Sequence, residues 1–256
     1  MNELLVQRDG PVLHVVFNRP QAHNALTFAM YEGVYDACET ADADPDIRVL
    51  VLRGAGGRAF VSGTDIAQFA GFDGATGVEY EARMTRVMRR LEDTAVPTVA
   101  AVDGYCVGGG LALAASCDLR IATRASRFGV PIARTLGNCL SMDTTALLVA
   151  HLGRSRTLDM LLRARLLDAA EAHDAGFVTQ LVDDAAGLDA ALADTTATLA
   201  SHAPLTMWAT KQTLARLRRA ALPDGDDIVS RVYGSADFKA AVASFGAKQR
   251  PTWSGE

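Results

Sequence analysis

Two short stretches of this chain place glycine just past an apolar, β-rich run, where backbone N–H groups can point at a ligand. The first is Arg58-Ala-Phe-Val-Ser62-Gly63-Thr64-Asp65-Ile66, which follows Val49–Arg53. The second is Asp103-Gly104-Tyr-Cys-Val-Gly108-Gly109-Gly110-Leu-Ala-Leu-Ala, which follows Thr98–Val102. Without a Cβ, glycine lets the main chain approach a ligand closely. In the second stretch a helix is expected to begin inside the glycine run, which turns the positive end of its dipole to the same spot. Such donors suit a negative charge that a ligand carries or that develops during a reaction. Tight packing alone also asks for glycine after a strand, so neither stretch is decisive by itself.

Other chemistries lack their residues. No G-x-G-x-x-G and no G-K-[ST] loop occurs, so dinucleotide and P-loop sites are not supported. Ser62 stands in Val-Ser-Gly, not in the G-x-S-x-G of a nucleophile elbow. Cys38, Cys106, Cys117 and Cys139 are widely spaced, show no C-x-x-C and lie apart from the five histidines, so they read as buried reduced thiols and no metal is expected. A net charge of −5 with mixed signs gives no footprint for nucleic acid. No apolar stretch approaches the roughly 20 residues of a membrane span, and the N-terminus does not read as a leader, so a cytoplasmic location is expected.

The elements that must position the glycines alternate in type. β-rich runs occur at Leu4–Gln7, Val12–Asn18, Val49–Arg53, Thr98–Val102 and Leu119–Ala122. Thr27 can cap a helix whose apolar side includes Met30, Val34, Cys38 and Ala41, and a second helix is expected from about Val78 to Leu91. A third should run from the triple glycine through Ala115. Asp168-Ala-Ala-Glu171 reads as a capping box, with Gly176 closing the same short helix. Strand–helix alternation of this kind argues for an α/β fold with parallel strands. From about Leu188 to Ala247 the pattern is helical, with breaks at Pro204 and Pro223-Asp-Gly225.

Four motifs recur along the chain in a fixed order. Asn18-Arg-Pro-Gln-Ala-His-Asn24-Ala-Leu26 reads N-R-P-x-x-x-N-A-L, and Ala59-Phe-Val-Ser-Gly63-Thr-Asp65-Ile66 reads A-F-x-x-G-x-D-[IL]. Pro97 to Gly110, followed by Cys117-Asp118, forms a central signature; Ala169-Ala-Glu-Ala172 with Gly176-Phe-Val178 follows. Together they resemble the crotonase superfamily, the enoyl-CoA hydratase/isomerase family, from about Leu4 to Trp253. The resemblance implies a spiral of ββα units over residues 1–195 and a helical oligomerisation region over 196–256, assembled as a homo-trimer or hexamer. It implies an acyl-CoA thioester as substrate, with no tightly bound cofactor and coenzyme A entering as part of the substrate. The thioester oxygen would sit between the backbone N–H groups of Thr64 and Gly109, and losing one such donor typically costs ~10²–10³ in rate. Contacts to the substrate would come from Ala22, Ser62, Thr64, Asp65, Ile66, Ala67 and Gly109. Lys248 or Arg250 is the candidate for the phosphates, since Gln21 stands where some relatives have lysine. Asp65 also suits a helix cap, and Asp118 matches an aspartate with a structural role.

The resemblance stops at the acid/base pair. The two glutamates of the hydratases correspond to Ala112 and Ile132, and a third acidic position used by some relatives corresponds to Leu140. Hydration of an enoyl thioester needs a base for the water and an acid near Cα, so the ordinary reaction should be badly impaired. Oxyanion stabilisation alone still permits decarboxylation of a malonyl-type thioester. Polar neighbours are Asn138, Cys139, Ser141 and Asp143; Asp143 is the candidate substitute acid or base, against a role as helix cap. The alternative reading is a catalytically inert acyl-CoA-binding family member or partner subunit.

Overall fold

The computed structural model describes residues 2–247, 251 and 253–255. β1 (Leu4–Asp9) and β2 (Val12–Phe17) form an antiparallel hairpin in which Leu4 faces Phe17. Thr27 caps α1 (Phe28–Ala43) as its sequence suggests, accepting from the Met30 amide. β3 (Val49–Gly54) and β4 (Ala59–Val61) lead to α2 (Gly74–Asp93), which starts earlier than the apolar pattern indicates because Asp73 and Thr76 close a capping box. β5 (Thr98–Val102), β6 (Tyr105–Val107) and α3 (Gly109–Ser116) follow, then β7 (Leu119–Thr123), β8 (Arg127–Gly129) and α4 (Ile132–Thr135). The chain continues through α5 (Met142–Leu162), β9 (Leu167–Asp168), α6 (Ala169–Asp174) and β10 (Gln180–Val182). It closes with α7 (Ala185–Ser201), α8 (Pro204–Arg219), α9 (Asp226–Tyr233) and α10 (Ala236–Gly246).

After the β1–β2 hairpin, the pairs β3/β4, β5/β6 and β7/β8 each split their strands between two sheets. β3, β5 and β7 join β1, β2 and β10 in a six-stranded sheet of order β1-β2-β3-β5-β7-β10, parallel from β2 onward. β4, β6 and β8 pair in parallel in a second sheet, where β9 closes the edge antiparallel to β8. The result is a spiral of ββα turns. Its main core fills the space between the sheets and α1–α3, with Phe17, Phe60, Leu50, Leu52 and Phe128 fully buried. The outer face of the large sheet buries Val49, Val51, Val99 and Ile121 against Leu188 and Leu192 of α7.

The expected division at residues 195/196 falls inside α7, the helix that packs on the outer face of the large sheet. Much of the tail's apolar side packs on its own chain. Tyr233 and Phe238 are fully buried in an aromatic cluster with Phe69, and a Cβ at Gly77 would lie 2.3 Å from the Tyr233 ring, so only glycine lets α9 dock on α2 this closely. Trp208 and Phe245 remain exposed. The expected capping box on α6 is half present: Asp168 accepts from the Glu171 amide, but the Glu171 carboxylate pairs with Arg165 instead of returning to the cap. Gly176 closes that helix at φ +80°, as its position indicates. Among the described residues, no helix is long and apolar enough to cross a membrane.

Candidate functional site

β4, β6 and β8 run parallel, and the chain leaving the C-terminal end of each lines one cavity of about 130 Å³. Ser62, Gly63 and Thr64 follow β4, Gly108 and Gly109 follow β6, and Val130, Pro131 and Ile132 follow β8. Ligands commonly gather at the carboxyl ends of parallel strands, where the loops diverge and backbone groups lose their ladder partners.

The first glycine stretch is fixed by a bridge between Leu26 and Thr64. Leu26 N–H donates to Gly63 O and Asp65 N–H donates to Leu26 O, both at 2.8 Å. The Thr64 N–H takes no part in this bridge, and Thr64 lines the cavity. Gly63 has φ +110°, which a side chain would resist. Gly108 N–H donates to Gly129 O at 2.9 Å, and Gly108 at φ +56° turns the chain into α3, leaving the Gly109 N–H at the helix start. The three glycines serve different ends. A Cβ at Gly108 would lie 3.3 Å from Gly63 Cα, one at Gly109 2.1 Å from the Tyr31 hydroxyl, and one at Gly110 2.5 Å from Val61 O. Among the described residues, neither the Thr64 nor the Gly109 amide donates to a protein acceptor. The Thr64 side chain is locked between Tyr31 and Tyr80, whose hydroxyls lie 2.8 and 2.9 Å from its Oγ1.

The N-R-P-x-x-x-N-A-L motif builds the frame behind these amides. Asn24, fully buried at φ +57°, accepts from Arg19 N and donates to Ala55 O and Ala59 O. Arg19 pairs with Asp65 at 3.1 Å, and Asp65 also caps the short 3-10 helix Ile66–Phe69. Asp118 is a structural clamp, accepting from Thr98 and from Lys211. Ser62, Thr64, Ile66 and Gly109 line the cavity; Ala22, Asp65 and the exposed Ala67 lie outside its lining. Lys248 and Arg250 are outside the described residues.

Ala112, Ile132 and Leu140, the three positions at which the resemblance leads one to expect acids, all line the cavity and make it apolar there. Asp143 is elsewhere. Ser141, not Asp143, caps α5. The Asp143 carboxylate is gripped by Arg89 at 2.6 Å and Arg218 at 2.9 Å and borders a separate outer cleft. Cys139 is also out of the cavity lining, and burial pushes its thiol up to about 12, which leaves no thiolate at neutral pH.

One acidic group does line the cavity. Glu81, 8% exposed, enters from α2 beside Tyr80. Its Oε1 accepts from the Tyr233 hydroxyl at 2.8 Å and its Oε2 from the Ser141 amide at 3.0 Å. Burial raises its carboxyl to about 7, although both hydrogen bonds pull the other way. A sequence signal existed: Gly77, Glu81, Met84, Met88 and Leu91 follow the three-and-four spacing of the buried side of α2, so a carboxylate sits in an apolar register.

The fold and cavity together define a crotonase-type protein. The chain belongs to the enoyl-CoA hydratase/isomerase family, whose model matches residues 7–256. It is 33% identical over 254 residues to a probable enoyl-CoA hydratase of Mycobacterium tuberculosis, covering 97% of this chain and 96% of the other. It is 32% identical over 259 residues to the 2,3-dehydroadipyl-CoA hydratase of Escherichia coli, covering both chains completely. Among solved structures, an enoyl-CoA hydratase/carnithine racemase from Magnetospirillum magneticum superposes with a TM-score of 0.81 at 33% identity, over 100% of this chain and 97% of that one. This is an acyl-CoA enzyme of that family.

Proposed function

We propose that the protein binds an acyl-CoA thioester with its carbonyl oxygen between the Thr64 and Gly109 amides, and that it works through the enolate this arrangement stabilises. The observation that supports the reading is that Thr64 and Gly109, after adjacent strand ends, line one cavity and that neither amide donates to a protein acceptor among the described residues. Two preset donors in an apolar enclosure stabilise developing charge without reorganising at the moment of reaction. Ser62 and Ile66 then flank the acyl end. Asp65, Ala67 and Ala22 lie along the route by which the coenzyme A portion leaves. Exposed Leu205, Leu214 and Leu217 on α8 support assembly of the chain as a homo-trimer or hexamer.

Ordinary hydration is not the reaction this cavity favours, because Ala112 and Ile132 cannot handle protons. An inert acyl-CoA-binding member is the second reading, and the same two residues favour it. The test uses butyryl-CoA labelled with ¹³C at the thioester carbonyl. On binding, its carbonyl stretch should move to lower frequency as the two amides polarise it; an unshifted band in the bound state sinks the proposal. In parallel, crotonyl-CoA hydration should run ~10² or more below the rate of a glutamate-bearing hydratase, since each missing proton-transfer group commonly contributes ~10²–10⁴.

A further inference from the structure

Of the two acidic residues that bury, Asp143 pairs with two arginines, whereas Glu81 has no cation within ion-pair distance among the described residues. A buried carboxyl without a counter-charge is costly unless it is neutral or has a task. Its ligands are neutral: the Tyr233 hydroxyl and the Ser141 amide. Next to it, Asn138 Nδ2 donates to the same Tyr233 oxygen at 3.1 Å, while Asn138 Oδ1 is buried without a partner among the described residues. Both Glu81 and Asn138 line the cavity that holds the Thr64 and Gly109 amides. Glu81 and Asn138 thus both border the space where the acyl group would lie.

We propose that Glu81, held by Tyr233 and the Ser141 amide, moves protons at the acyl carbons of the thioester, from a helix that carries none of the family's usual acid/base positions. This rests on the reading of the cavity as a thioester site. Glu81 as carboxylate takes a proton from Cα; the C–H bonding pair becomes the enolate and its charge settles on the thioester oxygen between the two amides. The carboxyl then returns a proton to carbon, the same carbon or the one a double bond away. One such group suffices for proton transfer between carbons, while adding water needs a second.

The groups facing Glu81 leave its titration undisturbed near neutrality. Tyr31 from α1 and Tyr233 from α9 are buried, Tyr80 on α2 and Cys139 before α5 are half-buried, and all four are held above their usual ranges, so they stay neutral. On the outer side Glu81 shares a cleft with Arg86, Arg89, Arg90, Asp93 and Asp143, which are held in ion pairs, and with Asp224 and Asp226 on its far rim before and in α9. With its carboxyl raised to about 7, Glu81 can both take and give a proton at working pH.

The experiment follows exchange of the Cα protons of butyryl-CoA in D₂O by NMR, using the full chain. The wild type should exchange them, with a rate that climbs with pH and levels off above about pH 7. E81Q should lower exchange by ~10²–10⁴ and keep the infrared shift of bound butyryl-CoA. Y233F removes a donor that steadies the carboxylate, so the midpoint should move up by roughly one to two pH units with most of the high-pH rate retained. Exchange that survives in E81Q, an E81Q variant that loses the infrared shift as well, or a Y233F midpoint that stays put would each overturn the role. Absence of the shift in the wild type would instead remove the thioester site itself.

Discussion

At Glu81, activity and stability pull in opposite directions. The folded carboxyl sits at about 7 against an ordinary 4.5, so between those values the folded state holds a proton that the unfolded state releases. Its contribution is fully present below pH 4.5 and is lost as pH rises through 7. At ~1.4 kcal/mol per unit, the loss amounts to at most about 3 kcal/mol by pH 8. E81Q, which carries no charge at any pH, should match the wild type near pH 4.5 and exceed it by up to that amount at pH 8. Urea unfolding at the two pH values decides this; a gap independent of pH would mean that Glu81 titrates normally. The glycines and the apolar substitutions Ala112 and Ile132 were legible in the sequence because they occupy motif positions. Glu81 was only half legible: its apolar register on α2 was visible, but its partner Tyr233 in α9 lies far along the chain and meets it only in the folded state. Asp143 misled for the mirror reason: its polarity was visible, and the two arginines that consume it were not.

Elements differ in how much of themselves the sequence reveals. The long strands β1, β2, β3, β5 and β7 were legible as apolar runs, and α1 through its Thr27 cap. The second sheet was not: β4, β6 and β8 have three residues each, too few to display a period, and they exist because the spiral brings them side by side. Those hidden strands are the ones whose C-terminal ends lead into the cavity. How α5 docks on α3 offers a check on element packing. His151 of α5 donates through Nε2 to Ala115 O at 2.9 Å and packs edge-on against Phe177. Burial first, then the nearby Arg120 charge, lowers it to about 4 from an ordinary 6.5. The unfolded state therefore takes up a proton earlier on acidification: stability is full above pH 6.5 and falls as pH drops toward 4. The loss should reach about 3 kcal/mol at most, and H151Q should flatten that limb of the pH–stability curve. An unaltered acid limb in H151Q would show that the α3–α5 contact does not titrate.

For the whole molecule, the question is what covers the helical tail. α9 and α10 bury Tyr233 and Phe238 fully in the chain's own core, while Phe245 of α10 stays exposed. α8 does not: Leu205, Leu214 and Leu217 are 76%, 63% and 70% exposed, with Trp208 at 41%. Leu214 and Leu217 stand three apart and so share one side of the helix. Leu162 at the end of α5 and Ile228 on α9 add exposed apolar surface of 75% and 50%. Single exposed leucines need no explanation, but several on one helix mark a surface that associates. Burying each stabilises an assembly by roughly 1.5–3 kcal/mol before the cost of association is subtracted. Light scattering at micromolar concentration should therefore report three or six times the 27.1 kDa of one chain. The pair L214E/L217E places charges on the proposed contact without touching the cavity, so it should lower the mass while leaving the circular dichroism of the fold unchanged. A wild-type monomer at that concentration, or an assembly indifferent to both charges, would remove α8 from the interface.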